Sequence, residues 1–289
     1  MLDRLAQRIH DEVYRRFYDY KTTVFLCGAG SKSINSVRQQ IDYELTTRWF
    51  SYQYDMFYPE DLFSELLYGP GSHDLMTLEN ILADSVDVIV LTIESYGAVA
   101  ELGTFANIPK LRKKLVCVVD KQYKKQKSFI NYGPLRLIRS TKEGQIIYGD
   151  YKNVTSIMGK IRRSISIAKK ERSKIINVNN VVQAHHFVLP SIYLLQPVLR
   201  ETLIELVHYA SNTDIQTSTA LTSGALSILN RKREIELTPD GYKLTATGMK
   251  HFETLGRRSR TISLYKTDIM DKLRIGIINW KYRGKPLKV

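Results

Sequence analysis

Glu101 follows a β-branched, apolar stretch of the sequence, at a point where a carboxylate could do chemistry. The run VDVIVLT ends at Thr92 and leads into ESYGAVAELGTFAN, residues 94–107. We expect a helix over 98–107, with Gly97 making a sharp turn before it and Glu101 in its first turn. The helix start would favour an ionised carboxylate, which could attack or stabilise an oxocarbenium-like sugar carbon. The alternative is that Glu101 is only an acid that favours a first helical turn.

The elements that would position this glutamate alternate between strands and helices. The strand-like runs, with helical patterns between them, are TVFLCG, YQYDMFYP, VDVIVLT and KLVCVVD. VDVIVLT is β-branched on both faces, as expected for a central parallel strand that is covered on each side. The alternation predicts an α/β fold with a doubly wound parallel sheet, whose ligands bind beyond the carboxyl ends of its strands.

The pattern changes beyond about residue 154, where a long basic helix, IMGKIRRSISIAKKERSKII, and then NVNNVV follow. LRETLIELVHYA and TALTSGALSILNRKREI predict two further helices, and IELTPDGYKLT predicts a hairpin. Two helices followed by a hairpin are typical of a winged helix-turn-helix, with 219–231 as its recognition helix. A small accessory domain that packs or dimerises is the alternative. The boundaries that we predict are 1–153 for the α/β domain, 154–182 for a basic helical linker and 183–289 for the winged-helix domain.

The basic excess lies in the second half of the chain. Residues 1–150 hold 19 Lys+Arg and 19 Asp+Glu, whereas residues 151–289 hold 24 and 10. This asymmetry indicates contact with a polyanion, although a solvated basic face would give the same composition. Basic clusters with interleaved tyrosines suit the backbone of a nucleic acid. The residues that we expect to contact DNA are Arg162, Arg163, Lys169, Lys170, Arg231, Lys232, Arg233 and Lys243.

Several other classes are disfavoured by composition. Cys27 and Cys117 both lie in strand-like runs, which fits buried thiols in a reducing cytoplasm better than a disulfide framework. None of the six histidines has a metal-ligand spacing to Cys, Asp or Glu, so we expect no metal site. The charged N-terminus and the lack of an 18-residue apolar run predict a cytoplasmic protein without a membrane span.

Two resemblances bear on function. ADSVDVIVL and YGAVAELGTFA occupy the places of a strand and a glutamate-bearing segment in the nucleoside 2-deoxyribosyltransferase family. VFLCG, FYPEDLF, LENILADSVDVIVL, AELGTFAN and KSFINYGPLRL, in this order, resemble the effector proteins of type II retron systems. That similarity extends, more weakly, to LPSIYLL and DGYKLTATG.

The retron resemblance implies a deoxyribosyltransferase-like N-glycosidase domain joined to a winged-helix DNA-binding domain. It implies a toxin of anti-phage defence that acts on NAD-type nucleotides as substrates, not as cofactors. The implied partners are a retron reverse transcriptase and its branched multicopy single-stranded DNA (msDNA), and a homo-oligomer is expected. Glu101 carries over as the catalytic carboxylate. The positions expected at the substrate are Cys27, Gly28, Gly30, Glu60, Asp84, Ser95, Gly97 and Asn131.

The glutamate segment departs from the transferase pattern. GAVAE replaces the usual GT before the glutamate, and the counterpart of the base-protonating aspartate is ambiguous among Asp74, Glu79 and Asp84. These departures weaken transfer between bases more than simple hydrolysis. Nicotinamide leaves NAD as a neutral group, so its departure needs no second acid. A DNA-binding regulator whose α/β domain senses a nucleotide without turnover is the competing hypothesis, and a base-exchanging transferase is a third.

Overall fold

A computed structural model describes residues 2–17, 21–30, 35–47, 53–59, 83, 85–170, 178–254 and 260–283. These residues form two compact units. One holds the described residues from 21 to 170, and the other holds residues 2–17 together with the described residues from 178 onward. The α/β unit thus starts later than the predicted boundary and includes the basic helix that we expected in a linker.

A parallel sheet forms the centre of the α/β unit. Its strands, within the described residues, are β1 (Thr22–Cys27), β2 (Tyr54–Phe57), β3 (Val88–Thr92), β4 (Leu115–Asp120) and β5 (Gln145–Gly149). Their order is β2-β1-β3-β4-β5, and all neighbours are parallel. The strand order reverses between β1 and β3, which is where doubly wound sheets bind ligands. The predicted α/β class and the central position of β3 are confirmed.

Helices flank the sheet and build the second unit. In chain order they are α1 (Leu2–Arg8), α2 (Arg15–Phe17), α3 (Val37–Thr46), α4 (Tyr96–Asn107), α5 (Pro109–Arg112), α6 (Phe129–Tyr132), α7 (Pro134–Thr141), α8 (Met158–Lys170), α9 (Val181–Leu195), α10 (Arg200–Ser211), α11 (Ile215–Arg231), α12 (Ala246–Thr254) and α13 (Arg260–Arg283). A π-helical turn, Ile9–Tyr14, joins α1 to α2.

Both faces of the sheet are covered, as β-branched strands require. On one face, Val24 and Val90 share a hydrophobic core with Ile41 of α3 and Ile161 of α8. On the other face, the Phe25 ring of β1 lies 6.4 Å, between centroids, from the Phe105 ring of α4. The sheet is therefore doubly wound.

The second unit combines a helical core with a small hairpin. Its core brings together residues of α1, α9, α10, α11 and α13. Only three residues, 212–214, separate α10 from α11, and the Asp214 side chain accepts a 2.8 Å hydrogen bond from the Thr217 N–H at the start of α11. The predicted hairpin forms as antiparallel β6 (Ile235–Thr238) and β7 (Gly241–Leu244).

Two predictions made from composition can be compared with this fold. Cys27 and Cys117 are free and buried, and burial raises the pKa of the Cys117 thiol far above its usual range. Among the described residues, no helix is long and apolar enough to cross a membrane.

Candidate active site

Glu101 lies on α4, the helix that directly follows the central strand. The α4 helix begins at Tyr96, and the Ser95 hydroxyl caps it by accepting a 3.2 Å hydrogen bond from the Ala98 N–H. The prediction of a turn at Gly97 is wrong, because Gly97 is the second residue of the helix. Glu101 is the sixth residue and lies in the second turn, not in the first. Serine is a strong N-cap, and its signal here outweighs that of the glycine two positions later.

The side chain of Glu101 lies on the flank of α4 that faces β1. Residues four apart share a helix face, so Glu101 lies on the same flank as Phe105, whose ring is near Phe25 of β1. Val99 lies about 200° around the helix from Glu101 and lines a cavity near the end of β4. Glu101 is half-buried, and its Oε2 atom is buried. Helical geometry therefore puts Glu101 on the flank of α4 that carries Phe105, opposite the flank that lines the cavity.

A second carboxylate, Glu94, ties the carboxyl ends of β1 and β3 to the start of α3. Its Oε2 accepts a hydrogen bond from the Val37 N–H at 2.9 Å. Its Oε1 accepts from the Arg38 N–H at 3.0 Å and from the Thr92 hydroxyl at 2.8 Å. The N-terminus of a helix at this crevice often binds a phosphate. In this chain Glu94 takes that position.

The hydrogen bond between Thr92 and Glu94 also restricts which residue can stand at the start of the loop after β1. A Cβ atom on Gly28 would lie 2.0 Å from Thr92 Oγ1 and 3.1 Å from Glu94 Oε1, so only glycine fits without a rearrangement. Cys27 is buried, and its carbonyl lies 3.1 Å from the Thr92 hydroxyl. Gly30 is exposed beyond them. Cys27 and Gly28 thus lie at the end of β1 against Thr92, and contact of all three residues with substrate stays a prediction.

A cavity of about 760 Å³ opens at the carboxyl ends of β3 and β4. It is lined by Ser95 and Asn131, both predicted at the substrate, and also by Val99, Tyr123 and Tyr151. Since Val99 and Glu101 lie on opposite flanks of α4, the predicted site residues fall into two groups. Ser95 and Asn131 line the cavity together with Glu94, whereas Glu101 lies on the flank of α4 that carries Phe105.

Other predicted site residues lie outside the described residues. They are Glu60 and Asp84, together with Asp74 and Glu79, the two further acids considered as proton donors. Glu94 is not among the functional residues predicted from the sequence. The signal that could have identified it is an acid two residues after a central strand, next to the strand-order reversal.

Four of the residues predicted to contact DNA lie on α8. Arg163 and Lys170 are exposed there. Arg162 forms an ion pair with Glu44 at 3.7 Å, and Lys169 Nζ donates a 3.1 Å hydrogen bond to the Thr22 hydroxyl. Arg162 and Lys169 therefore already have structural contacts within the α/β unit.

The other four lie in the second unit, around the end of α11. Arg231 and Arg233 are exposed, whereas Lys232 and Lys243 are half-buried. The middle of α11 is buried because Gly224 packs closely on α9: a Cβ there would lie 2.7 Å from the Val181 side chain. A recognition surface along the whole of 219–231 does not exist, and the exposed parts of α11 are its two ends.

Known proteins similar to this chain identify its family. A family model described as STM3845 retron effector protein matches residues 35–237. The chain belongs to this retron effector family. A protein of Escherichia coli named "Retron Ec86 putative ribosyltransferase/DNA-binding protein" is 36% identical to it over 285 residues, which cover 94% of this chain and 89% of the relative.

A second Escherichia coli protein, "Retron Ec73 putative ribosyltransferase/DNA-binding protein", is 32% identical over 153 residues, 52% of this chain and 48% of the relative. The retron effector resemblance is thereby confirmed. Both names point to glycosyl-transfer chemistry among the relatives of this effector.

Proposed function

We propose that this retron effector is an N-glycosidase toxin that hydrolyses NAD, with Glu101 as its catalytic carboxylate. The observation that carries the proposal is the position of Glu101. It lies on the helix after the central strand, on the flank that faces β1, where the strand order reverses. Ligands of doubly wound sheets bind at this reversal, and a half-buried carboxylate there is well suited to a sugar cation.

The reaction needs few protein groups. The bond between the ribose C1′ and the pyridinium nitrogen breaks, and its electron pair neutralises the nitrogen as nicotinamide leaves. Glu101 stabilises the oxocarbenium-like carbon, or attacks it to form a glycosyl-enzyme. Water then adds at C1′ and loses a proton, so NAD⁺ and water give nicotinamide, ADP-ribose and H⁺. Because the leaving group is neutral, no second carboxyl is required.

The contacts of Glu94 restrict how the substrate lies. Its carboxylate accepts hydrogen bonds from the Val37 and Arg38 N–H groups at the start of α3. A phosphate cannot use those donors while Glu94 holds them, and the negative charge of Glu94 repels it. We therefore expect the nicotinamide ribosyl end to enter the crevice and the pyrophosphate to lie away from α3.

The second unit is proposed to be a winged-helix module that docks on msDNA and the reverse transcriptase. A short turn between α10 and α11, followed by the β6–β7 hairpin, supports the assignment, as does the DNA-binding name of the relatives. The exposed Arg231 and Arg233 would contact phosphates. The partner complex would assemble or restrain the enzyme, which we propose to be a homo-oligomer acting in anti-phage defence.

The test is NAD turnover by the purified chain with its reverse transcriptase and msDNA. Wild type should release nicotinamide, Glu101→Gln should lose that activity, and Glu205→Gln, an exposed glutamate in the second unit, should retain it. Turnover by Glu101→Gln at the wild-type rate would contradict the assignment. NAD binding without turnover would favour the nucleotide-sensing regulator. Incorporation of labelled nicotinamide into NAD would indicate base exchange.

A further inference from the structure

The α/β unit carries a basic segment that the charge balance of its half of the chain conceals. Residues 1–150 are neutral as a whole, yet residues 121–142 hold five lysines, two arginines and no Asp or Glu. All seven of these basic side chains are exposed. The segment begins directly after β4 and ends just after α7, so it lies wholly within the α/β unit. None of its basic residues is among the eight predicted to contact DNA.

The fold brings basic side chains from the two ends of this segment together at Tyr148 on the edge strand β5. Lys124 Nζ lies 5.5 Å from the centroid of the Tyr148 ring. Arg139 donates a 3.3 Å hydrogen bond to the Tyr148 hydroxyl and a 2.7 Å hydrogen bond to the Asn131 carbonyl. Residues three apart are neighbours on a helix, so Arg136 extends the same patch along α7. A run of charges in the sequence thus becomes one surface beside β5.

Most of the positive charge on this surface has no counter-charge from the protein. Lys121 is the exception, because its Nζ lies 2.7 Å from Asp150 Oδ2. The other six basic residues, which we call the basic patch, are Lys124, Lys125, Lys127, Arg136, Arg139 and Lys142. Within the residues that the structure describes, none of the six forms an ion pair. Unneutralised cations on one surface attract a polyanion.

Exposed aromatic rings lie between the cations of the basic patch. Phe129 is 85% exposed, Tyr132 is 58% exposed and Tyr123 is 44% exposed. Phe129 and Tyr132 are three residues apart on α6, so their rings lie on one flank of that helix. The Asn131 side chain ties α6 to the preceding loop by donating 2.8 Å hydrogen bonds to the carbonyls of Tyr123 and Gln126. Covering rings of this size with a partner removes apolar area from water, which is favourable.

We propose that the basic patch binds a single-stranded nucleic acid, with its phosphates at the lysines and arginines and its unpaired bases stacked on Phe129 and Tyr132. Proteins that bind single strands combine a positively charged path for the backbone with aromatic rings on which the bases stack. A duplex keeps its bases stacked on one another, and an acidic peptide has no bases, so either partner uses the cations and leaves the rings uncovered. This surface belongs to the α/β unit and is therefore additional to the winged-helix module that we propose to dock on msDNA.

Photo-cross-linking of the full chain tests where a single strand lies. The probe is an oligothymidylate of about 20 nucleotides that carries 5-iodouracil, which on irradiation links to aromatic side chains stacked on it. Mass spectrometry of the digested protein then locates the link. Phe129 or Tyr132 should carry it. Absence of the link from both rings would overturn the proposal, whether the strand cross-links to residues 178–289 or to no residue at all.

Fluorescence anisotropy with a labelled oligothymidylate measures the contributions of charge and stacking to affinity. Losing one phosphate contact lowers the slope of log K against log salt by about 0.7, so Arg136→Glu should weaken binding at least about fivefold at about 0.1 M salt. Tyr132→Ala should also weaken binding at least about fivefold, the loss expected for one stacked base. The matched controls are Arg4→Glu on α1 and Tyr43→Ala on α3, both at exposed positions outside the basic patch, and they should retain the wild-type affinity.

Three affinity results would also overturn the proposal. The first is an unchanged affinity in both Arg136→Glu and Tyr132→Ala. The second is a duplex of the same length that binds as tightly as the single strand and loses as much affinity in Tyr132→Ala, which would exclude base stacking. The third is displacement of the strand by polyglutamate as effectively as by unlabelled oligothymidylate, which would indicate an acidic protein partner instead. Each readout is binding, so it stands whether or not the chain hydrolyses NAD.

Discussion

Replacing Gly28 with alanine should break the contact that fixes the end of β1 against β3. The new Cβ would lie 2.0 Å from Thr92 Oγ1, and real Cβ contacts are at least about 3 Å, so the threonine side chain has to rotate. Rotation removes the 2.8 Å hydrogen bond from the Thr92 hydroxyl to Glu94, and a bond to a charged group contributes about 1.5–3 kcal/mol. With the cost of the displaced rotamer, we expect Gly28→Ala to lower the free energy of unfolding by about 2–4 kcal/mol.

Urea unfolding followed by fluorescence measures this change, with Gly30→Ala as the matched control. Among the residues that the structure describes, no atom lies within 4 Å of a Cβ on Gly30, so that variant should stay within about 0.5 kcal/mol of wild type. In a Thr92→Ala background the clash with Oγ1 is gone, and Gly28→Ala should cost at least about 1 kcal/mol less. Equal costs in the two backgrounds would refute the claim that Thr92 and Glu94 are the reason for glycine at position 28.

Three further predictions address other parts of the chain. Cys27 and Cys117 should resist iodoacetamide at pH 8 in the native protein and react in urea, because both thiols are buried and burial raises the pKa of the Cys117 thiol. Rapid alkylation of the native protein, detected by mass spectrometry, would contradict this expectation. The Asn180 side chain caps α9 by accepting a 2.8 Å hydrogen bond from the Gln183 N–H, so Asn180→Ala should lower the free energy of unfolding in urea by about 1 kcal/mol. No measurable change would show that the cap does not stabilise the protein. Arg112→Met removes the 2.7 Å ion pair with Glu143 and should lower stability by about 3 kcal/mol; an unchanged unfolding midpoint would count against a structural role.

The sequence predicts the sheet best where burial is greatest. The run that forms β3 is apolar and β-branched because both of its faces are covered, and this pattern survives in the sequence. Strand β5, Gln145–Gly149, lies at the edge of the sheet and is half-buried at three of its five residues, so its sequence carries a weaker signal and does not predict a strand. The hydrophobic pattern of the sequence thus predicts the central strands of the sheet but not its edge strand β5.

The site was harder to predict because its contacts are distant in sequence. Glu94 bonds to Val37 and Arg38, more than fifty positions earlier, and no local pattern contains that pairing. The sequence predicts a turn at Gly97, whereas the helix already starts at the Ser95 cap. The middle of α11 is buried because Gly224 admits the Val181 side chain of α9, a close approach that a helical sequence pattern does not show. Position and chemistry selected Glu101, but only the fold shows which flank of α4 it occupies.

The decisive test of NAD hydrolysis by Glu101 is the NAD concentration in cells that express this chain with its proposed partners, a retron reverse transcriptase and msDNA, followed with and without phage. Wild type and Glu101→Gln should be compared at equal protein levels, with Glu205→Gln as the control. If Glu101 is the catalytic carboxylate, NAD should be lost with the wild type and with Glu205→Gln, and its concentration should be unchanged with Glu101→Gln. Equal NAD loss with Glu101→Gln, or no loss with the wild type under any condition, would contradict NAD hydrolysis by this carboxylate.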